Sequence, residues 1–311
     1  MTALVLAVLP GLFWTQPPET ADALRKAGIT EIGAPAANVA AWAGSGIKAV
    51  AIDMAHVVKV TEPSVDYKIA SAGATSAPWI NSNLWLFLRK PDSVYVCETV
   101  KREAIPLALG EAYAAGVHAY FAVKPEDLDS FSTALGFLKS VDGPALHGRA
   151  NIAVVDDGSD AVGEVMNLLS RRNLLFAPVK APAAGFDVTV QLGKDPYAGK
   201  VAEDPYLTAG EARSRLGDAR RLVRVYGSET TIARLEGDGG HMRLHLMHFG
   251  DYKVEGLRVR VRGAYKRVVV RAMGKPEQEV EDRADEKDAV EFSVPVIENY
   301  LMVDLFPAAS R

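Results

Sequence analysis

The feature that most constrains this chain is a change of periodicity at residue 228. From there to the C-terminus strand-like runs follow one another: ETTIARLEG, HMRLHLMHFG, LRVRVRG, RVVVRAMG, AVEFSVPV and YLMVDLF. Gly-rich turns separate them and no helical pattern intervenes. LRVRVR alternates strictly, apolar on one face and arginine on the other, which is the period of a half-buried strand. Six or more such strands predict a β-sandwich over residues 228–311.

Before residue 228 the order is strand, then helix. Across residues 10–140, strand-like GLFWTQ, EIGAP, KAVAIDMA, SVYVCE and VHAYFAV are interleaved with helix-like stretches. The last of these, EDLDSFSTALGFLKSV, places Leu128, Phe131, Leu135 and Leu138 on one stripe. Repeated β-then-α units imply a parallel sheet with helices outside, and function at the carboxyl ends of the strands. A full eight-fold barrel needs about 200 to 250 residues, and roughly 140 are present, so residues 1–146 read as a trimmed TIM-like barrel. At residue 147 the pattern restarts. NIAVVDD, LLFAPV, DVTVQLG and LVRVYG alternate with two helices, the first N-capped by Ser159 or Asp160. Residues 147–227 therefore read as a small flavodoxin-like α/β domain.

Composition narrows the partners. A net charge of −4 argues against nucleic acid, which selects a basic face. The apolar N-terminal stretch MTALVLAVLPGLFW is too short to span a membrane. Gly11 to Gln16 reads as the first core strand, and residues 1–9 as the remnant of an export signal, which tilts the expected compartment to periplasmic or extracellular. No membrane span is expected. The single cysteine, Cys97, rules out an intrachain disulfide and a cysteine-rich metal site. No cofactor and no metal are expected.

From Val94 the chain runs VYVCETVKREAIPLALGEAYAAGVHAYFAVKPEDLD. This resembles the last barrel strands of family 42 glycoside hydrolases, the β-galactosidase type. In that family a strand ends in the nucleophilic glutamate, and an Ala-rich helix with an Ala-x-Gly turn follows. The stretch ANIAVVDDGSDAVGEVMNLLSRRN resembles the start of the family's amidotransferase-like second domain, and the last segment its C-terminal β-domain. The resemblance spans roughly residues 93–311 by pattern and module order. It implies a glycoside hydrolase acting on a β-linked sugar by a two-carboxylate mechanism. Glu98 falls on the nucleophile position, and Glu111 to Gly116 on the helix and turn. The family's trimers imply a possible homo-oligomer.

A retaining glycosidase needs an ionised nucleophile and a protonated acid about 5 to 5.5 Å apart. The family's acid is a glutamate directly after an asparagine, and the barrel segment has no Asn-Glu pair. Asp53, ending KAVAID, is the best-placed carboxylate on an earlier strand; Glu62 and Asp66 are loop candidates. Two readings stand: an enzyme with Glu98 as nucleophile and Asp53 as acid, or an inactive glycosidase-like protein that binds carbohydrate or serves as a scaffold. Candidate sugar contacts are Trp14, Gln16, Trp79, Asn81, Asn83 and Trp85, because sugar clefts combine aromatic faces with polar side chains. The WINSN loop offers amides between two aromatics, whereas Trp42 reads as core.

Other signals are assigned to structure. His241, His245 and His248 lie along one strand and do not converge on a metal. Asp156-Asp157 reads as capping and loop solvation, GDGG at 237–240 as a hairpin turn, and RVRVRG as the polar face of a strand.

Overall fold

The structure, a computed structural model, describes residues 8–67, 78–141, 146–238 and 240–307. Residues 1–7 of the export-signal reading lie outside the described residues, as does Gly239 of the GDGG turn. The chain divides into two compact units: Met1–Ser64 with Lys90–Ala145, and Val65–Arg89 with Leu146–Arg311.

In chain order the first strands are β1 (Gly11–Leu12), β2 (Glu31–Pro35), β3 (Lys48–Ile52), β4 (Val58–Val60), β5 (Ser64–Asp66), β6 (Trp79–Asn81), β7 (Val94–Cys97) and β8 (His118–Phe121). In the first unit β1, β8, β7 and β4 pair side by side, all parallel. The parallel pair β2–β3 continues from β1 through a bridge between Phe13 and Gly33, where Trp14 N–H donates to Gly33 O at 2.8 Å. The order β3-β2-β1-β8-β7-β4 keeps the first strand beside the last, as barrels do. Yet β3 and β4 do not pair among the described residues, so the barrel does not close.

The cause is visible in the connections. Only Asp53 to Val57 link β3 to β4, and Met54 and Val57 of that link pack on the inner cluster of Phe13, Ile52 and Val96. The helices are trimmed as well. α1 (Ala21–Lys26) is short and Ala36–Trp42 is a 3-10 turn. After these come α2 (Leu84–Arg89), then α3 (Ile105–Ala115) and α4 (Leu128–Ser140). Pro at the start of α3 and Gly116 at φ 68° after its end set its limits. α4 buries Leu128, Phe131 and Leu138 as its stripe predicts. Inside the sheet the Tyr120 ring lies on Gly11 and Gly33, where an added Cβ would come within 2.6 and 2.5 Å of it.

The second unit holds β9 (His147–Gly148), β10 (Ile152–Val155), β11 (Phe176–Val179) and β12 (Val188–Val190), with α5 (Asp160–Arg171), α6 (Lys200–Glu203) and α7 (Pro205–Leu216). The parallel order β11-β10-β12 puts the first strand of this layer in the middle. Its core joins Ile152, Val154, Val165, Leu169, Ala209 and Ala212. Ser159 caps α5, accepting from Val162 N–H at 3.3 Å. α2 belongs to this unit too. Gly163 admits its close approach, since a Cβ there would meet Arg89 Nη1 at 2.6 Å and the Trp85 ring at 3.1 Å.

The remaining strands are β13 (Val223–Tyr226), β14 (Thr231–Gly237), β15 (Met242–His248), β16 (Val254–Arg262), β17 (Tyr265–Ala272), β18 (Gln278–Glu279), β19 (Glu281–Asp285), β20 (Ala289–Ile297) and β21 (Tyr300–Pro307). They form antiparallel sheets β13-β16-β20-β19 and β18-β17-β21-β15-β14-β9. Leu257, Val259, Val261 and Phe292 of one sheet share a core with Leu244, Leu246, Val303 and Leu305 of the other. Two assignments from sequence change. LVRVYG, expected to end the α/β layer, is β13 and pairs antiparallel with β16. His147–Gly148, expected to open that layer, pairs with β14. The alternation of VRVY fits either layer and His147–Gly148 is too short to carry a pattern, so the antiparallel partner decides. The arginines of LRVRVR do face outward: Arg258 meets Glu291 at 2.7 Å and Arg260 meets Glu286 at 2.8 Å.

Candidate functional site

Glu98 follows β7 directly, at the carboxyl end of the parallel sheet. Its neighbour Lys59 is the register partner of Val96, an inner-cluster residue, so both side chains leave their strands on the inner side. Lys59 Nζ lies 2.9 Å from Glu98 Oε1, with the two side chains 62% and 54% exposed. Glu98 is therefore a solvated, ion-paired carboxylate at the rim of the inner face.

The two other candidate carboxylates of this unit, Asp53 and Glu62, are also engaged. Asp53 is turned into its own loop, where Oδ2 meets His56 Nδ1 at 2.6 Å and Oδ1 accepts from Ala55 N–H at 3.1 Å. The His56 hydrogen bond first, and then that of Ala55, hold the Asp53 carboxyl below its ordinary range. A proton donor to a leaving oxygen requires the opposite shift. Glu62 pairs with Lys101 Nζ at 2.9 Å and accepts from Lys101 N–H at 2.9 Å. Burial pushes the Cys97 thiol up to about 11, which disfavours the thiolate at neutral pH.

The predicted aromatic and amide contacts are divided between the two units. In the first, Trp14 is buried in the core with Nε1 donating to Thr20 Oγ1 at 2.9 Å, and Gln16 is exposed. In the second, Trp79 is covered by the Arg171 guanidinium, 3.7 Å from the ring centroid. Asn81 Nδ2 donates to Asp66 Oδ2 at 2.8 Å. The Asn83 carbonyl accepts from Leu86 and Phe87 N–H at 3.0 and 2.9 Å, which starts α2. Trp85 packs on the α/β core. The stretch read as a sugar-binding loop thus becomes a strand, a capped turn and a helix. Its signals, amides between aromatics, are equally those of a helix start beside a hydrophobic face.

Three residues at the rim were not singled out from sequence: Lys59, His56 and Lys101. Lys59 had a signal, a lone cation between Val58 and Val60 in an apolar run. At the carboxyl end of β10, Asp156 receives a two-nitrogen contact from Arg89, at 2.7 Å from Nη2 and 3.0 Å from Nε, and Asp157 accepts from Ser159 N–H at 2.9 Å. Of the three histidines, His241 and His245 bond different carboxylates, Asp304 at 2.8 Å and Glu236 at 3.2 Å, and His248 bonds Thr231 at 3.0 Å. No helix among the described residues is long and apolar enough to cross a membrane.

No family model matches the chain, and no curated protein matches it. Among solved structures it is similar to the α-L-fucosidase isoenzyme 2 from Paenibacillus thiaminolyticus, with a TM-score of 0.54 and 10% identity over 70% of this chain and 61% of that one. It is also similar to the β-galactosidase from Bacillus circulans sp. alkalophilus (TM-score 0.44, 8% identity, 88% of this chain and 63% of that one). A third is the family 42 exo-carrageenase from Bacteroides ovatus (TM-score 0.43, 9% identity, 84% and 48%). The chain thus spans less than two thirds of each of these proteins. All three are glycoside hydrolases, and the fucosidase likeness shows a glycosidase-like fold without singling out family 42.

Proposed function

We propose that this chain is a carbohydrate-binding protein on a glycosidase-like fold, with its sugar contacts at the carboxyl ends of β4 and β7, and that it does not hydrolyse glycosides. The observation that carries this is the Lys59–Glu98 pair. An ammonium beside a carboxylate offers donor and acceptor to adjacent sugar hydroxyls, and the half-buried Met54 and Val57 supply apolar area beside them. Hydrolysis requires in addition a carboxyl that stays protonated until it is used. Asp53, whose bonds to His56 and Ala55 favour the ionised form, is poorly suited to that role.

The hydrolytic alternative keeps Glu98 as nucleophile and Asp53 as acid, and draws support from the position of Glu98 directly after a parallel strand. A glycan array followed by titration calorimetry separates the two, run beside a panel of nitrophenyl glycosides. The expected result is saturable binding of a neutral glycan, lost in Glu98→Gln and Lys59→Met, without turnover. Turnover abolished by Glu98→Gln would establish the hydrolase instead. Absence of both binding and turnover would remove the carbohydrate reading. Self-association belongs to the same proposal, and sedimentation as a monomer at micromolar concentration would remove that part.

A further inference from the structure

Outside that rim, the second unit brings four arginines near one another, two of them sharing one carboxylate. Arg172 follows the last turn of α5, Arg213 lies on α7, and Arg221 and Arg224 flank the start of β13. Arg221 and Arg224 approach the same carboxylate, Asp218, at 3.6 and 3.5 Å. Arg221 Nη2 also donates to the Arg172 carbonyl at 2.9 Å, which fixes its plane beside the end of α5. Its Nε–H is buried and has no acceptor among the described residues. The Arg172 guanidinium lies over Tyr206, 4.3 Å from the ring centroid. Neither Arg172 nor Arg213 pairs with a carboxylate among the described residues.

These cations oppose one another. Burial first, and then the Arg213 charge, disfavour the Arg172 cation; burial, Arg213 and Arg224 disfavour that of Arg221 against the pull of Asp218. Neighbouring arginines are engaged elsewhere. Arg215 pairs with Glu211 at 2.7 Å, Arg220 donates to the Leu216 carbonyl at 2.7 Å, and Arg262 approaches Asp187 at 3.9 Å. The cluster is thus a specific convergence of α5, α7 and β13 rather than a generally basic surface. Planar guanidinium forks suit carboxylate and tetrahedral oxyanions alike, and four cations exceed the single carboxylate, Asp218, that two of them share.

We propose that Arg172, Arg213, Arg221 and Arg224 bind a tetrahedral oxyanion, phosphate or sulfate, either free or carried as an ester on a saccharide. The site draws nothing from Glu98 and stands whether or not the strand-end rim binds sugar.

The test is titration calorimetry of the full chain at low ionic strength with inorganic phosphate, inorganic sulfate, a sulfated oligosaccharide and its unsulfated counterpart, with chloride as the control. The expected result is saturable binding of the oxyanion, weakened about tenfold by Arg213→Gln and further by Arg213→Gln combined with Arg224→Gln, since each removes one charge-assisted contact. Arg213 is exposed and makes no ion pair among the described residues, so its substitution leaves the fold intact. If Arg224→Gln lowers the melting temperature, Arg213→Gln alone decides. Tighter binding of the sulfated saccharide than of free sulfate assigns the ester as the ligand, and equal affinities assign the free anion. Heats no larger than with chloride, or an affinity unchanged in both variants, would overturn the proposal.

Discussion

Asp304 on β21 is 1% exposed and accepts from His241 Nε2 at 2.8 Å, Arg243 Nε at 2.8 Å and Arg271 Nε at 2.6 Å. Burial pushes its carboxyl up. The hydrogen bonds from His241, Arg243 and Arg271, with the Arg243 charge, outweigh that and hold it well below the usual carboxylate range. Replacing it by asparagine leaves Arg243, itself 9% exposed, beside a neutral amide. Removing one partner of a buried ion cluster costs about 3–5 kcal/mol, because the remaining charge stays desolvated. At about 2–4 °C per kcal/mol for a unit of this size, the midpoint of unfolding falls by about 6–20 °C. Asparagine keeps one acceptor oxygen but turns an NH2 toward a donor, so Asp304→Asn belongs at the low end and Asp304→Leu higher. The assay is thermal unfolding at neutral pH followed by circular dichroism, with exposed Glu98→Gln as the unshifted control. The pH dependence gives a second readout. The folded pKa lies below the unfolded value of about 3.9, so this stabilisation is present above that pH and is lost as the pH falls further. The wild type should lose stability there more steeply than Asp304→Asn. A midpoint for Asp304→Asn within about 2 °C of wild type would refute the reasoning.

Three further outcomes are expected. Gly33→Ala places a methyl 2.5 Å from the Tyr120 ring and should destabilise by about 1–3 kcal/mol in urea unfolding. Combining it with Tyr120→Leu should recover part of the loss, and strict additivity of the two changes would contradict the contact. Asp156→Asn leaves Arg89, 8% exposed in its side chain, without its carboxylate and should cost about 3 kcal/mol by the same measurement, against under 1 kcal/mol for the exposed pair in Lys59→Met. Burial lowers the pKa of His248 against the opposing hydrogen bond to the Tyr252 carbonyl. Its folded pKa lies below the unfolded value of about 6.5, so stability should decline as the pH falls from there. His248→Gln should flatten that decline, and an unchanged slope would rule the residue out as its source.

Periodicity carried most of the fold. The alternation in LRVRVR fixes which face of β16 is buried, because a one-residue slip would place three arginines in the sandwich core. The stripe of α4 and the cap at Ser159 are equally local signals. Pairing was less legible where runs are short. β13 and β9 hold four and two residues, and nothing within them distinguishes a parallel neighbour from an antiparallel one. The open side of the barrel was not legible either, because it depends on Met54 and Val57 packing inward from a link that reads as an ordinary turn. For α2, the deciding contact is with Gly163, on a helix more than 70 residues further along the chain.

The site follows the same division. The position of Glu98 is a property of its own strand: an apolar run ends and the next side chain clears the sheet. Its chemistry is a property of the adjacent strand. Lys59 reaches it only because β4 pairs with β7 in the register that sets Lys59 beside Val96, and no pattern in either segment announces that register. A carboxylate 2.9 Å from an ammonium can serve as a nucleophile or as a hydroxyl acceptor equally well. The distinction between hydrolysis and binding therefore rests on a second carboxyl in an environment that retains its proton. Asp53 is the carboxylate that β3 delivers to this end, and its loop bonds favour the ionised form. On the binding reading proposed above, a proton-donating role for Asp53 would require releasing it from His56 and burying it, two changes that oppose the turn by which the chain reaches β4 without a helix.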